Sequence, residues 1–73
     1  MTSKARRVMT ALFDAFLADP RLMPEEHSST AARLETDQGM AGRARAVADY
    51  IAGMTDRYAI LEHRRLFDPS EVT

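Results

Sequence analysis

Val8, Met9, Leu12, Phe13, Phe16 and Leu17 follow one another at steps of one, three and four, the recurrence that gathers apolar side chains on one stripe of an α-helix. The spacing predicts an amphipathic helix over about residues 4–18. Ser3 can cap its start by accepting from a free amide of the first turn, and Asp19-Pro20 ends it because a residue before proline avoids the α region. From Arg21 to Gly39 the period fades, as Leu22, Met23 and Pro24 give way to Glu25, Glu26, His27, Ser28, Ser29 and Thr30. A connection over about residues 19–39 is the expectation. Pro24 with two glutamates behind it could open a short helical turn there, since proline suits a first helical position and acids complement the helix dipole.

After Gly39 the pattern returns: Met40, Ala44, Val47, Ile51, Met54, Tyr58 and Leu61 step by three or four along one face. They predict a kinked helix or a helix pair over about residues 40–67. Gly53 costs about 1 kcal/mol relative to alanine inside a helix, and Thr55 can cap a fresh start, so the break belongs at Gly53-Met54. Asp68-Pro69 closes the segment as Asp19-Pro20 closes the first. Strand-like alternation, internal repeats and low-complexity tracts are absent from the sequence. The prediction is an all-α chain, one helical domain over 1–73, built as a helical hairpin or a small bundle of two to four helices. Two main helices bury only one interface. The Leu12/Phe16 and Ile51/Met54/Leu61 stripes are therefore expected to meet a partner, by self-association or by docking to another domain.

Composition strengthens that expectation. With 73 residues, 45% of them hydrophobic and 29% charged, the chain has a globular composition. A domain this small buries only about 60% of the surface its unfolded chain exposes, and without cysteine it has neither a disulfide nor a thiolate zinc site to reinforce it. Ten Lys/Arg against eleven Asp/Glu leave a net charge of −1, which speaks against nucleic-acid capture by overall charge. No apolar run approaches a membrane span and no leader pattern opens the chain, so a cytoplasmic location without a membrane partner is expected.

Catalytic constellations are sparse. His27 stands in the polar tract and His63 near Glu62 and Arg64, without His-x-x-x-His, His-Glu-x-x-His or His-Asp spacing for a metal. Ser28, Ser29 and Ser70 lack a nucleophile elbow, and Gly39, Gly42 and Gly53 do not fit a phosphate loop. Arg57, Arg64 and Arg65 could meet a phosphate or an acidic partner, but Asp56 and Glu62 lie beside them and surface ion pairing is the commoner outcome. Arg45 and Asp49 have the spacing of an ordinary i,i+4 pair. Tyr50 and Tyr58 flank Gly53, a setting for a small pocket where helices cross closely, or simply for core tyrosines whose hydroxyls reach a polar partner.

The stretch Val47-Ala48-Asp49-Tyr50-Ile51-Ala52-Gly53-Met54-Thr55-Asp56-Arg57-Tyr58-Ala59, followed by Arg65-Leu66-Phe67, resembles the closing signature of deoxyguanosine-triphosphatase-like hydrolases of the HD superfamily. The first helix with Pro20 and Leu22 is similar to the segment before that signature, so residues 4–24 and 40–68 carry the resemblance. It implies the C-terminal, phosphohydrolase-associated region of an all-helical enzyme, commonly a homo-oligomer, that cleaves a deoxynucleoside triphosphate to deoxynucleoside and triphosphate. In that family a divalent metal, Mg²⁺ or Mn²⁺, sits on a His…His-Asp…Asp set upstream. This chain carries none of that set, so it is expected to hold no cofactor, to be silent alone, and to work beside an upstream HD catalytic domain from which truncation or gene division has parted it. Asp49, Tyr50, Asp56 and Arg57 are the resemblance's candidates for substrate binding or active-site support, with no catalytic residue assigned. Arg57 could contact phosphate or a carboxylate, Asp56 could fix Arg57 or cap the helix, and Asp49 could orient a basic group of the catalytic domain. The competing reading is a freestanding helical interaction or dimerisation module; nucleic-acid binding through residues 57–65 ranks behind both.

Overall fold

A computed structural model describes residues 3–67, and they form four α-helices: α1 (Ser3–Ala18), α2 (Glu25–Gln38), α3 (Met40–Ala52) and α4 (Asp56–Phe67). A 3₁₀ turn, Pro20–Leu22, links the first two. No strand occurs among the described residues. Asp68-Pro69 and the Ser3 side chain, with the stop and the cap expected of them, lie outside what is described.

The first helix ends as its sequence dictates. Asp19 takes an extended conformation before proline, and its carboxylate accepts from the Arg21 amide at 3.2 Å and from Arg21 Nε at 3.0 Å. The expectation of a connection over 19–39 fails at its centre, because residues 25–38 are helical. Pro24 provides the first acceptor, taking the amides of His27 and Ser28 at 3.0 and 2.9 Å, and Glu25 and Glu26 lie in the first turn where the dipole favours acids. α2 buries Ala31 and half-buries His27 and Leu34, at i, i+4 and i+7, with polar Ser28, Thr30 and Glu35 half-buried beside them. A helix that turns one histidine, one alanine and one leucine inward leaves little hydrophobic period to read.

Small residues on that face permit a close approach. Gly42 of α3 is buried, and a methyl group there would overlap the Leu34 carbonyl of α2. Gly39 alone connects the two helices, at φ 71° and ψ −150°, a conformation open essentially to glycine. Its amide donates to Glu35 O at 2.7 Å while its carbonyl accepts from Gly42 at 3.0 Å, so one residue closes α2 and opens α3.

α1 packs across α3 and α4, and the core gathers there. Leu12, Phe16 and Val47 are fully buried, with Val8, Met23, Ala31, Ile51 and Ala59 around them. The Leu12/Phe16 stripe thus closes within the chain against α3 and α4 and is not a seam for self-association. Arg43 fastens the corner by donating to Glu35 Oε1 at 2.8 Å and to the Leu17 carbonyl at 3.0 Å.

The third predicted feature resolves into a helix pair. Gly53 ends α3, and Thr55 starts α4 by accepting from the Tyr58 amide at 3.1 Å. The break shifts the phase of the stripe. Ala59 and Glu62 face inward on α4, whereas Tyr58 and Leu61, expected on the buried face, are exposed, as is Met40 at the other end.

Candidate functional site

Tyr50 is the last-turn residue of α3 that touches the most chemistry. Its ring meets Phe16 edge-on, with centroids 5.4 Å apart, and the His27 ring of α2 lies tilted against it at 4.5 Å. Its hydroxyl reaches Glu62 Oε1 at 3.4 Å and the Tyr58 hydroxyl at 3.3 Å. Glu62, a buried carboxylate, receives a two-pronged contact from Arg65: Nε donates to Oε2 at 2.7 Å and Nη2 to Oε1 at 2.9 Å. Arg65 Nη2 also donates to the Leu22 carbonyl at 3.2 Å, so the chain of polar contacts runs from α3 through α4 to the 3₁₀ turn.

The electrostatics follow from these contacts. Hydrogen bonding from Arg65 holds the Glu62 carboxyl below the usual glutamate range, against the opposing effect of burial. Burial pushes the Tyr50 phenol well above the usual tyrosine range, and the Tyr58 hydroxyl and the Glu62 charge push it the same way. The Glu62 contact in turn raises Arg65. Tyr50 is therefore a neutral donor and Glu62 a charged acceptor at neutral pH.

Beside this network lies an open cleft of about 320 Å³, walled by His27 of α2, Asp49, Tyr50 and Gly53 at the end of α3, Met54 in the link, and Thr55 and Tyr58 at the start of α4. Of the four residues singled out from the sequence, Asp49 and Tyr50 line it. Asp49 is exposed, and its carboxylate has no hydrogen-bond or ion-pair partner among the described residues; the expected Arg45–Asp49 pair is absent there. Asp56 and Arg57 are not part of the lining. Asp56 occupies the first turn of α4, where it complements the helix dipole, and the capping oxygen comes from Thr55. Arg57 is exposed, with no partner among the described residues, and so makes no contact with Asp56.

The close crossing expected at Gly53 occurs instead at Gly42, since a methyl group on Gly53 would make only ordinary contacts. Sequence reading passed over His27 as a wall residue and Glu62 as a buried one. The i,i+3 spacing of Glu62 and Arg65 was the available signal for their pair. Among the described residues no group of three or more histidines, cysteines or acids could hold a metal ion, and no helix is long and apolar enough to cross a membrane.

Comparison with known proteins gives a consistent picture. Residues 1–65 match the model of the phosphohydrolase-associated domain. The chain is 56% identical over 72 residues to a deoxyguanosinetriphosphate triphosphohydrolase-like protein of Azoarcus sp. (strain BH72), covering 99% of this chain and 17% of that protein. A protein of the same description from Bordetella pertussis is 57% identical over 68 residues, covering 93% of this chain and 16% of the relative. Another from Thiobacillus denitrificans is 49% identical over 72 residues, again 99% of this chain and 17% of the relative. The chain thus spans about a sixth of the length of these relatives. No solved structure matches it.

Proposed function

The chain belongs to the phosphohydrolase-associated domain family, and on that premise we propose that it is the C-terminal helical domain of a deoxynucleoside triphosphate triphosphohydrolase. It supports the wall of an active site, or an oligomer, built mainly by an HD catalytic domain. It performs no chemistry alone. The metal that such chemistry implies, Mg²⁺ or Mn²⁺, does not fit the residues described here, which offer no convergent ligand set. Metal and substrate, a deoxynucleoside triphosphate, accordingly belong to the catalytic domain.

The observation that carries this reading is the outer face of α4. Arg57, Ile60, Leu61 and Arg64 recur at i, i+3, i+4 and i+7, and all four are exposed. A second amphipathic stripe, turned away from a core that is already closed, is what a docking helix presents. Antiparallel self-pairing of this face would set Arg57 against Arg64 of another copy, which disfavours a homodimer there. A homo-oligomer of the whole hydrolase would form through other surfaces.

Mixing the chain with the catalytic portion of the longer protein and following sedimentation tests the reading. It predicts a complex that the double variant Ile60→Asp/Leu61→Asp fails to form while staying helical. Self-association of the chain with indifference to the catalytic portion would instead favour a freestanding dimerisation module.

A further inference from the structure

The outer half of α4 sets apolar and charged groups in an order that restricts what can cover it. Most of the large hydrophobic side chains left exposed among the described residues, Tyr58, Ile60, Leu61 and Phe67, belong to this helix. At about 3.6 residues per turn, Arg64 comes round to within about 20° of Arg57, with Ile60 about 60° to one side and Leu61 about 40° to the other. The two arginines therefore run down the middle of the apolar face and not along its rim. Both are exposed and have no partner among the described residues. The helix does not neutralise them itself, since Glu62 is buried and gripped by Arg65, and Asp56 stands in the first turn without pairing to Arg57.

We propose that α4 docks into an apolar groove of the catalytic portion whose floor carries two carboxylates, one for each arginine, about 10 Å apart because the arginines are two helical turns apart. A guanidinium at the edge of an interface keeps its head in water, but one in the middle is covered once Ile60 and Leu61 are seated beside it. It keeps its charge when covered. Burial without an anion opposite is then strongly unfavourable, whereas a carboxylate meets the guanidinium with two parallel hydrogen bonds. The same face of a second copy offers only arginines, which excludes it as the occupant. That the occupant is the catalytic portion rests on the reading above, in which this chain spans about a sixth of its relatives' length; the demand for two carboxylates follows from the face itself.

The test uses the Azoarcus relative with this chain in place of its matched 72 residues. Lys4 is the sole lysine of the chain, so Arg57→Lys or Arg64→Lys adds one amine to the centre of the face. A water-soluble carbodiimide joins an amine to a carboxylate only where the two touch, and mass spectrometry of the cross-linked peptides names both ends. Hydrogen exchange over α4, compared between the chimera and the isolated chain, reports docking independently. Slower exchange in the chimera is expected, with the amine of each variant coupled to an acidic residue of the catalytic portion. Arg45→Lys, on the exposed side of α3, should couple to none of them. Slower exchange without both couplings, or equal coupling from Arg45→Lys, would overturn the proposal and leave the docking reading standing. Unchanged exchange over α4 would remove the docking reading and the proposal with it.

Discussion

The hydroxyl of Tyr50 on α3 donates to the buried carboxylate of Glu62 on α4, 3.4 Å away, and this contact joins two helices whose connecting backbone is broken at Gly53. Because Arg65 grips the same carboxylate, Glu62 is the junction of the network. Glu62→Ala would strand both donors and cost about 1–3 kcal/mol, less than the roughly 3–5 kcal/mol of a fully buried pair because Arg65 is half-exposed. Glu62→Gln keeps an acceptor for Tyr50 and should cost less. Urea denaturation of the two variants checks the order.

Stability should fall at both ends of the pH scale, for opposite reasons. Glu62 is held below the usual glutamate range in the folded state. Its contribution is complete above the unfolded value, about pH 4.3, and is lost as pH falls through the lowered folded one. Tyr50 is raised, so its contribution is complete below about pH 10 and is lost as pH rises toward the folded value. Urea midpoints against pH should show a shallower acid limb in Glu62→Gln, where Asp19, also lowered by its Arg21 contact, remains, and a shallower alkaline limb in Tyr50→Phe.

The glycines divide sharply. Gly42→Ala forces a methyl group into the Leu34 carbonyl and should destabilise by about 1–3 kcal/mol, the usual cost of overpacking. Gly53→Ala adds a methyl group in ordinary contact at φ −84°, and should be neutral or stabilising by up to about 1 kcal/mol. Thermal melts of both variants decide it, and equal losses would mean that α2 and α3 do not cross at Gly42.

This contrast shows where the sequence was legible. Large apolar side chains announced α1 and α3, and Asp19-Pro20, Gly53 and Thr55 marked their limits through local chemistry that needs no tertiary context. α2 was missed because its inward residues, His27 against Tyr50, buried Ala31 and half-buried Leu34 beside Gly42, offer little hydrophobic area. The phase of α4 was misread because the Gly53–Thr55 break rotates it, exchanging Tyr58 and Leu61 for Ala59 and Glu62 on the buried face. Asp49 and Tyr50 could be named from their signature. Their separation from Asp56 and Arg57 by the same break could not.

Arg57 offers a separation of stability from function. It is exposed and without a partner among the described residues, so Arg57→Ala should change the unfolding free energy by no more than about 0.5 kcal/mol. In the full-length hydrolase proposed above, the same change should lower kcat/KM for deoxynucleoside triphosphates. Unaltered kinetics across several of them would remove Arg57 from active-site support.

The most direct measurement is triphosphate release from a mixture of deoxynucleoside triphosphates, with Mg²⁺ or Mn²⁺, by a chimera in which this chain replaces the matched 72 residues of the Azoarcus protein. The unmodified relative, the relative lacking that segment, and this chain alone are assayed beside it. Activity in the chimera should be near that of the unmodified relative, with little in the truncated protein and none in the chain. Release of triphosphate by the chain alone, or full activity in the truncated protein, would contradict the proposed function.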